Sequence, residues 1–298
     1  MINCSLIGYG KWGKNIFKVL SKNKKAKIDS ICKKNIKNFS NFKFKGRVLN
    51  SYKKAINKDI NAVFIATPPE SHFKIAKYAL ESKKNVFIEK PVCLSQKNYR
   101  LLIKIAKKND LVFHIDYIHT YNQNLIKLVA QLNRRKQIKE KTYVKIFLGK
   151  NGPVRKKSLV LMDWGPHIFS IINFIFKHNK YKINKVSILK NSKNKKINFA
   201  LNINYKNILI DAFFGNNFKN KITEININKK NSQYIYKDKI IITKNKNSFY
   251  KKNYQKITPL ENSINQFIKS CKKNIYVHDK LHEKITYQLE KTQNKLFN

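Results

Sequence analysis

The sequence predicts an α/β protein of two domains: an amino-terminal doubly wound parallel sheet over residues 1–118, and a carboxyl-terminal α+β domain over 119–298 with a largely antiparallel open sheet. Three observations predict it. Strand-like apolar runs alternate with helical patterns five times before Asp116, as in parallel strands joined by helical crossovers. A glycine-rich turn joins the first strand to the first helix. From Lys182 onward the chain changes to strand-like runs at hairpin spacing, which implies antiparallel pairing.

The first strand is the run Cys4-Ser5-Leu6-Ile7, and the first helix carries Ile16, Phe17, Val19 and Leu20 on one face. Between them lies Gly8-Tyr9-Gly10-Lys11-Trp12-Gly13. In the Rossmann pattern the first glycine of such a loop allows a sharp turn and the second lets backbone approach a pyrophosphate. The third lets helix and strand pack closely. The helix start then presents N–H groups to the phosphates. The chain has eight glycines and three of them fall within these six residues, so chance is a poor explanation. Lys11 and Trp12 join the glycines as candidate cofactor contacts.

Ala26 to Cys32 reads as the second strand, followed by Lys33. An acidic residue about 20 positions beyond the glycine loop would hold the ribose 2′-hydroxyl of NAD, whereas a cation suits the 2′-phosphate of NADP. Lys33 stands at that place, so NADP is favoured over NAD.

A short helix around 51–56 precedes the buried strand Ala62-Val63-Phe64-Ile65-Ala66. That strand ends in Thr67-Pro68-Pro69-Glu70-Ser71-His72, ahead of a helix with Ile75, Ala76, Ala79 and Leu80. Two prolines at a strand's carboxyl end force an irregular turn, at the edge of an open α/β sheet where ligands sit. Thr67, Pro68 and His72 are therefore candidate cofactor-site residues. Strand 85–88 closes on Glu89-Lys90-Pro91; helix 95–107 and strand 111–115 complete the domain.

A helix over 122–133 then leads to strand 143–148 and a loop over 149–161. Strands are expected at 185–189, 198–205, 208–214, 222–227 and 239–243, with a closing helical segment from Pro259. The Asn/Lys-rich stretch 190–196 reads as a solvated turn.

The formal net charge of +48 first suggests a nucleic-acid partner. Of 64 basic residues, however, only Arg47, Arg100, Arg134, Arg135 and Arg155 are arginine, and the lysines scatter over every segment. Nucleic-acid readers favour arginine forks and clustered patches. The residues in excess have AT-rich codons, so genomic bias explains the charge better than a polyanionic partner does. No specific nucleic-acid partner is expected.

Cys4, Cys32, Cys93 and Cys271 lie far apart without metal-ligand spacing, so they read as reduced thiols. His278 and His282 are four apart with no third ligand near, and no metal is expected there. No signal-peptide pattern precedes the first strand, and the longest apolar run, 168–176, is shorter than the roughly 20 residues that cross a bilayer. The expectation is a cytoplasmic protein without membrane attachment.

Five motifs in order resemble the glucose-fructose oxidoreductase and inositol dehydrogenase family (Gfo/Idh/MocA). They are the Gly8–Gly13 loop, Ala66-Thr67-Pro68-Pro69-Glu70-Ser71-His72, Glu89-Lys90-Pro91, Asp163-Trp164-Gly165-Pro166-His167 and Pro259-Leu260-Glu261-Asn262-Ser263. Five of the chain's six prolines lie inside them. The resemblance implies a nicotinamide-dependent dehydrogenase or reductase acting on a carbinol of a sugar, sugar nucleotide or cyclitol. It implies that Lys90 bonds the reacting oxygen and positions the nicotinamide, that Glu89 lines the cofactor pocket, that His167 exchanges the hydroxyl proton, and that Asp163 orients substrate or histidine. The Trp-Gly-Pro-His form resembles members found among sugar-nucleotide pathways, and the antiparallel sheet of such proteins implies a homo-oligomer.

The residues support these roles on their own chemistry. Hydride transfer needs positioning and a proton partner of near-neutral pKa, which histidine provides. Pro166 suits the first position of a helix, which would put His167 in the first turn, where the helix dipole disfavours imidazolium. A lysine at a strand's carboxyl end stabilises a developing alkoxide. Two features depart from the family pattern: Ile168 follows the motif histidine where an acidic residue is common, and the acidic ribose hook is absent. A polyanion-binding protein and a cofactor fold whose catalysis has decayed are the competing functions.

Overall fold

The structure is a computed structural model of the 298-residue chain. It describes residues 1–34, 44–93, 95–134, 140–176, 181–190, 195–237, 239–245, 248–273, 275 and 280–297. The sequence-predicted turn at 190–196 lies mostly outside them, as does His278. The chain forms two compact units, Met1–Tyr117 with Leu260–Thr286, and Ile118–Pro259 with Tyr287–Asn298.

The first unit holds a six-stranded parallel sheet of β1 (Ile2–Ile7), β2 (Ala26–Cys32), β3 (Arg47–Leu49), β4 (Ala62–Ile65), β5 (Asn85–Glu89) and β6 (Phe113–Asp116), in the order β3-β2-β1-β4-β5-β6. That is the doubly wound order whose direction reverses between β1 and β4, the place where ligands bind. The central strands are mostly apolar because both faces are covered; every residue of β4 is buried.

The helices of this unit are α1 (Lys11–Leu20), α2 (Tyr52–Ala55), α3 (Pro69–Glu81), α4 (Gln96–Lys108) and most of α7 (Pro259–Lys273). Ser95 caps α4 by accepting from the Asn98 amide. Phe267 of α7 meets Phe64 and Phe87 of the sheet edge-on at 5.3 and 5.6 Å. Strand β3 is the element of this unit's sheet that the sequence does not predict: its three residues are too few to show alternation.

The second unit carries an eight-stranded sheet of order β14-β13-β12-β11-β7-β10-β9-β8. Its strands are β7 (Thr142–Asn151), β8 (Lys182–Lys190), β9 (Ile197–Tyr205), β10 (Ile208–Gly215), β11 (Asn217–Lys229), β12 (Ser232–Lys237), β13 (Ile240–Asn245) and β14 (Ser248–Lys252). All neighbours pair antiparallel except β7 with β10. Alternate residues Val144, Ile146 and Leu148 face the core. Helix α5 (Gln123–Arg134) packs against β12 and β13, and α6 (Lys157–Ile175) against β7 and β10. Helix α8 (Lys280–Phe297) closes the chain.

Helix α6 corrects two expectations. It begins at Lys157, within the stretch read as loop, and it runs through Pro166. Pro166 therefore does not start a helix, and His167 lies more than two turns inside one, beyond the reach of the helix dipole's positive end. An interior proline removes the N–H that would bond the carbonyl four residues back and normally disfavours the helix. The neighbouring Gly165 is closely packed, since a Cβ there would stand 2.6 Å from Leu289 Cδ2 and 3.3 Å from Leu161 Cδ1. Close packing holds the segment helical against its local preference. Among the described residues α6 is also the one helix long and apolar enough to cross a membrane, and 67% of its apolar window is buried inside the protein.

Candidate active site

The glycine loop sits at the carboxyl ends of β1 and β4, where the strand order reverses. Gly8 has φ +97, and a Cβ there would lie 2.5 Å from the Ala66 carbonyl oxygen; at Gly13 it would lie 2.1 Å from the carbonyl oxygen of Gly8. The protein's own packing thus demands two of the three glycines. Gly10 differs, since a Cβ there meets nothing within 4 Å. No protein contact requires glycine at that point, which leaves backbone open to a ligand. Gly10 is the N-cap of α1 and supplies no side-chain cap, so the first N–H groups, those of Lys11, Trp12 and Gly13, are available to an anion. Trp12 Nε1 is buried with no acceptor. An open cradle of unpaired N–H groups at a helix start fits a dinucleotide's diphosphate. Lys33 follows β2, its amide donating to the Leu49 carbonyl at 2.9 Å, in the same unit as the loop.

The next loop is built around His72. Pro69 opens α3, where its missing N–H costs nothing. Ser71 Oγ lies 2.7 Å from Thr67 Oγ1 and 2.8 Å from the Pro68 carbonyl oxygen. The His72 ring is buried, with Nδ1 2.8 Å from the Pro91 carbonyl oxygen and Nε2 2.8 Å from that of Thr67. One imidazole therefore ties the Thr67-Pro68 turn to the Lys90-Pro91 turn. Burial lowers its pKa, against the two carbonyls, which favour the protonated ring. A neutral ring has one N–H and donates to one of the two carbonyls, so we expect His72→Ala to orphan that carbonyl and leave a cavity, lowering stability by about 2–3 kcal/mol. A fall in the urea midpoint at constant slope measures this, and an unchanged midpoint removes the brace.

Glu89, Lys90 and Pro91 follow at the carboxyl end of β5. Glu89 is the register partner of Asp116, the last residue of β6. Asp116 is 1% exposed and its Oδ1 accepts from Ser263 Oγ at 2.7 Å. Ser263 Oγ in turn lies 3.0 Å from His114 Nε2, and the His114 ring stacks on Phe87 at 5.0 Å. Burial, then the Asp116 charge, hold the Glu89 carboxyl well above its ordinary range. Burial pushes Asp116 up to about 6, and burial together with nearby His282 pushes His114 down to about 3. Lys90 opposes the rise at both acids.

The second unit holds the other candidates. Asp163 and His167 are four apart on α6 and share a face of it. Arg155 Nη1 bonds Asp163 Oδ2 at 2.8 Å, with both side chains nearly half exposed. The His119 ring, on the 3₁₀ turn Ile118–Tyr121, meets His167 edge-on at 4.9 Å, and Trp164 lies 6.3 Å from it. A carboxylate, two imidazoles and an indole on one helix and its neighbouring turn can orient a hydroxyl and exchange its proton.

The cofactor candidates and Lys90 lie in the first unit, and Asp163 and His167 in the second. Sequence reading missed Arg155 as the partner of Asp163, and Asp116 and Ser263 as partners of the β5 end. Register alone could have paired Asp116 with Glu89, both being strand-terminal residues of adjacent strands. Among the described residues no group of three or more His, Cys, Asp or Glu could hold a metal.

Residues 2–117 match the model of a family described as an oxidoreductase family with an NAD-binding Rossmann fold. A curated oxidoreductase of Formosa agariphila is 42% identical over 55 residues, 18% of this chain; the matched stretch spans only 17% of that relative's length. Two solved structures share the whole fold. The UDP-N-acetylglucosamine 3-dehydrogenase of Acidithiobacillus ferrooxidans has a TM-score of 0.79 at 15% identity and covers 98% of this chain and 97% of its own. The 3-ketoreductase KijD10 of Actinomadura kijaniata, solved with NADP and TDP-benzene, has a TM-score of 0.83 at 11% identity and covers 98% and 96%.

Proposed function

We propose, from the premise that residues 2–117 belong to the Gfo/Idh/MocA oxidoreductases, that the chain transfers hydride between a nicotinamide cofactor and a carbinol or carbonyl of a nucleotide-linked sugar. The observation that carries this is Gly10: a glycine that packing does not require, at the switch point of a doubly wound sheet, facing open space at a helix start. Gly8, Gly10, Gly13 and the amides of Lys11 and Trp12 hold the diphosphate. Thr67, Pro68 and Glu89 line the cofactor's path, with His72 bracing the turn behind them. Lys33 selects the 2′-phosphate, so NADP binds in preference to NAD.

A bound nicotinamide supplies or accepts the hydride. Lys90 then stabilises charge on the substrate oxygen, since an ammonium in a water-poor site acts on a developing alkoxide far more strongly than it does in water. His167 takes the hydroxyl proton in oxidation and returns it in reduction. His119 and Trp164 pack against its ring. Asp163, held by Arg155, orients the substrate hydroxyl.

Support for a sugar-nucleotide substrate is the likeness to a UDP-N-acetylglucosamine dehydrogenase and to a reductase solved with a TDP compound. A homo-oligomer through the outer face of the second sheet, where Phe147 and Phe213 stack at 5.3 Å, and a cytoplasmic location complete the proposal. Sedimentation reads the first, and a monomer at working concentration would remove it.

Fluorescence titration with NADPH and NADH tests the cofactor, followed by turnover against UDP- and TDP-sugars. We expect tighter binding of NADPH. Failure of both to bind overturns the enzyme; binding without turnover on any sugar leaves a fold whose catalysis has decayed. A polyanion-binding role has one observation in its favour, a cavity of about 650 Å³ in the first unit lined by Lys22, Lys24, Lys25, Lys269, Lys272 and Lys273. Binding of a polyanion there would weaken steeply with salt.

A further inference from the structure

Only 16 of 298 residues are acidic, and two of them end adjacent strands in register, Asp116 buried and Glu89 half-buried with its Oε1 out of water. Neighbouring residues of a parallel pair project to the same face about 4.8 Å apart, which brings the Glu89 and Asp116 carboxyls together. The two side chains hydrogen-bond each other. Glu89 Oε1 and Asp116 Oδ2 are nevertheless buried without an N–H or O–H donor. Two ionised carboxylates accept only, so each needs a hydrogen that the other cannot give.

We propose that Glu89 and Asp116 hold one proton between them, with the proton on Glu89 and the charge on Asp116, so that Asp116 is the positioning residue that keeps Glu89 a neutral acid beside Lys90. The polarity of the surrounding hydrogen bonds assigns the proton. Ser263 has one hydroxyl hydrogen and gives it to Asp116 Oδ1. The contact from His114 Nε2 to Ser263 Oγ must then be donated by the ring, which makes His114 a neutral Nε2–H tautomer. His114 donates to Ser263 and Ser263 to Asp116, while Glu89 accepts the Lys90 backbone N–H and donates to Asp116. A hydroxyl donor favours the charged form of the carboxylate it bonds, and the chain of hydroxyl and imidazole donors ends on Asp116, the more deeply buried of the two acids.

The charged and titratable groups around the pair are Lys90 beside Glu89, and His114 with His282 beyond Ser263. His114 stays neutral because burial and His282 hold its pKa far below 7. One negative charge on the pair then balances one positive charge on Lys90. Two ionised carboxylates would leave an excess charge in the interior, at a cost that burial makes large. The pair exists whether or not the chain is an enzyme; only its effect on Lys90 rests on the proposed hydride transfer.

Infrared difference spectroscopy on the ligand-free protein tests the proposal. A protonated-carboxyl C=O band is expected at pH 7, shifted in D₂O, and lost in Glu89→Gln, whose amide reproduces the donated hydrogen. In Asp116→Asn the new amide donates to Glu89, which becomes the carboxylate, and the band disappears there too. Absence of the band at pH 7, or its persistence in Glu89→Gln, overturns the assignment.

Stability supplies a second reading that needs no refolded Asp116 variant. Both acids have raised folded-state pKa values, so the stability they contribute is complete below the unfolded carboxyl range of about 4 and is lost as pH rises through the folded values. Glu89→Gln is expected to flatten the alkaline side of the stability profile. An unchanged slope above the unfolded carboxyl range overturns the shared proton. Because neither measurement uses cofactor or substrate, failure of the enzyme reading leaves both results standing.

Discussion

Lys90→Ala is expected to lower turnover by about 10³-fold or more while NADPH affinity changes by less than about tenfold. Removing one preorganised donor to a developing oxyanion alone costs about 10²–10³ in rate, and the alanine also removes the cation that balances the buried negative charge at Asp116. In the proposed site the cofactor is held mainly by backbone at the glycine loop, so binding and chemistry should separate. Lys90→Arg is expected not to rescue, because a planar fork cannot replace a point charge at the end of a short strand. Single-turnover kinetics with an NADPH titration of each variant decides the matter. Turnover within tenfold of the wild type removes Lys90 from the mechanism.

The parts of this site that could be read from sequence share a physical property: each is specified by neighbours along the chain. The glycine turn, the buried run 62–66 and the Glu89-Lys90-Pro91 end of β5 are local patterns, and the structure has them at the carboxyl edge of the first sheet. What could not be read depends on distant packing. Helix α6 runs through Gly165-Pro166, where Leu289, over 100 positions away, packs against Gly165. Ser263 reaches Asp116 across a separation of 147 residues, and no periodicity encodes that contact. Strands β12 and β14 were missed because their lysines, tyrosines and serines carry little apolar alternation; their pairing with β13 supplies what propensity does not.

The lysine excess changes how this architecture should be read. Cations cover exposed positions in both units, while the buried strands and the two turns at the sheet's carboxyl edge keep an ordinary apolar and glycine-proline composition. Compositional drift at the surface is nearly neutral for folding, since isolated exposed charges contribute little. Drift into the core would have met the cost of burying unpaired charge. The buried acids Glu89 and Asp116 run against the drift, in a chain with four times as many bases as acids, which marks their position as one that surface composition does not govern.

The two inner glycines of the loop should separate folding from cofactor binding. Gly13→Ala would set a Cβ 2.1 Å from the Gly8 carbonyl oxygen, a backbone atom with no rotamer to yield, and is expected to cost about 3 kcal/mol or more of stability. Gly10→Ala meets open space and starts from φ −77, ψ −166, a conformation any residue adopts, so its stability should stay within about 0.5 kcal/mol of the wild type. If a diphosphate lies against Gly10, the added methyl occupies its place, and NADPH affinity should fall at least about 30-fold, roughly 2 kcal/mol. Urea denaturation and fluorescence titration of the same two proteins read both quantities. A stable Gly10→Ala protein that binds NADPH as tightly as the wild type would show that the open space at Gly10 is not where the phosphates pass, and the cofactor assignment would lose the observation on which it rests.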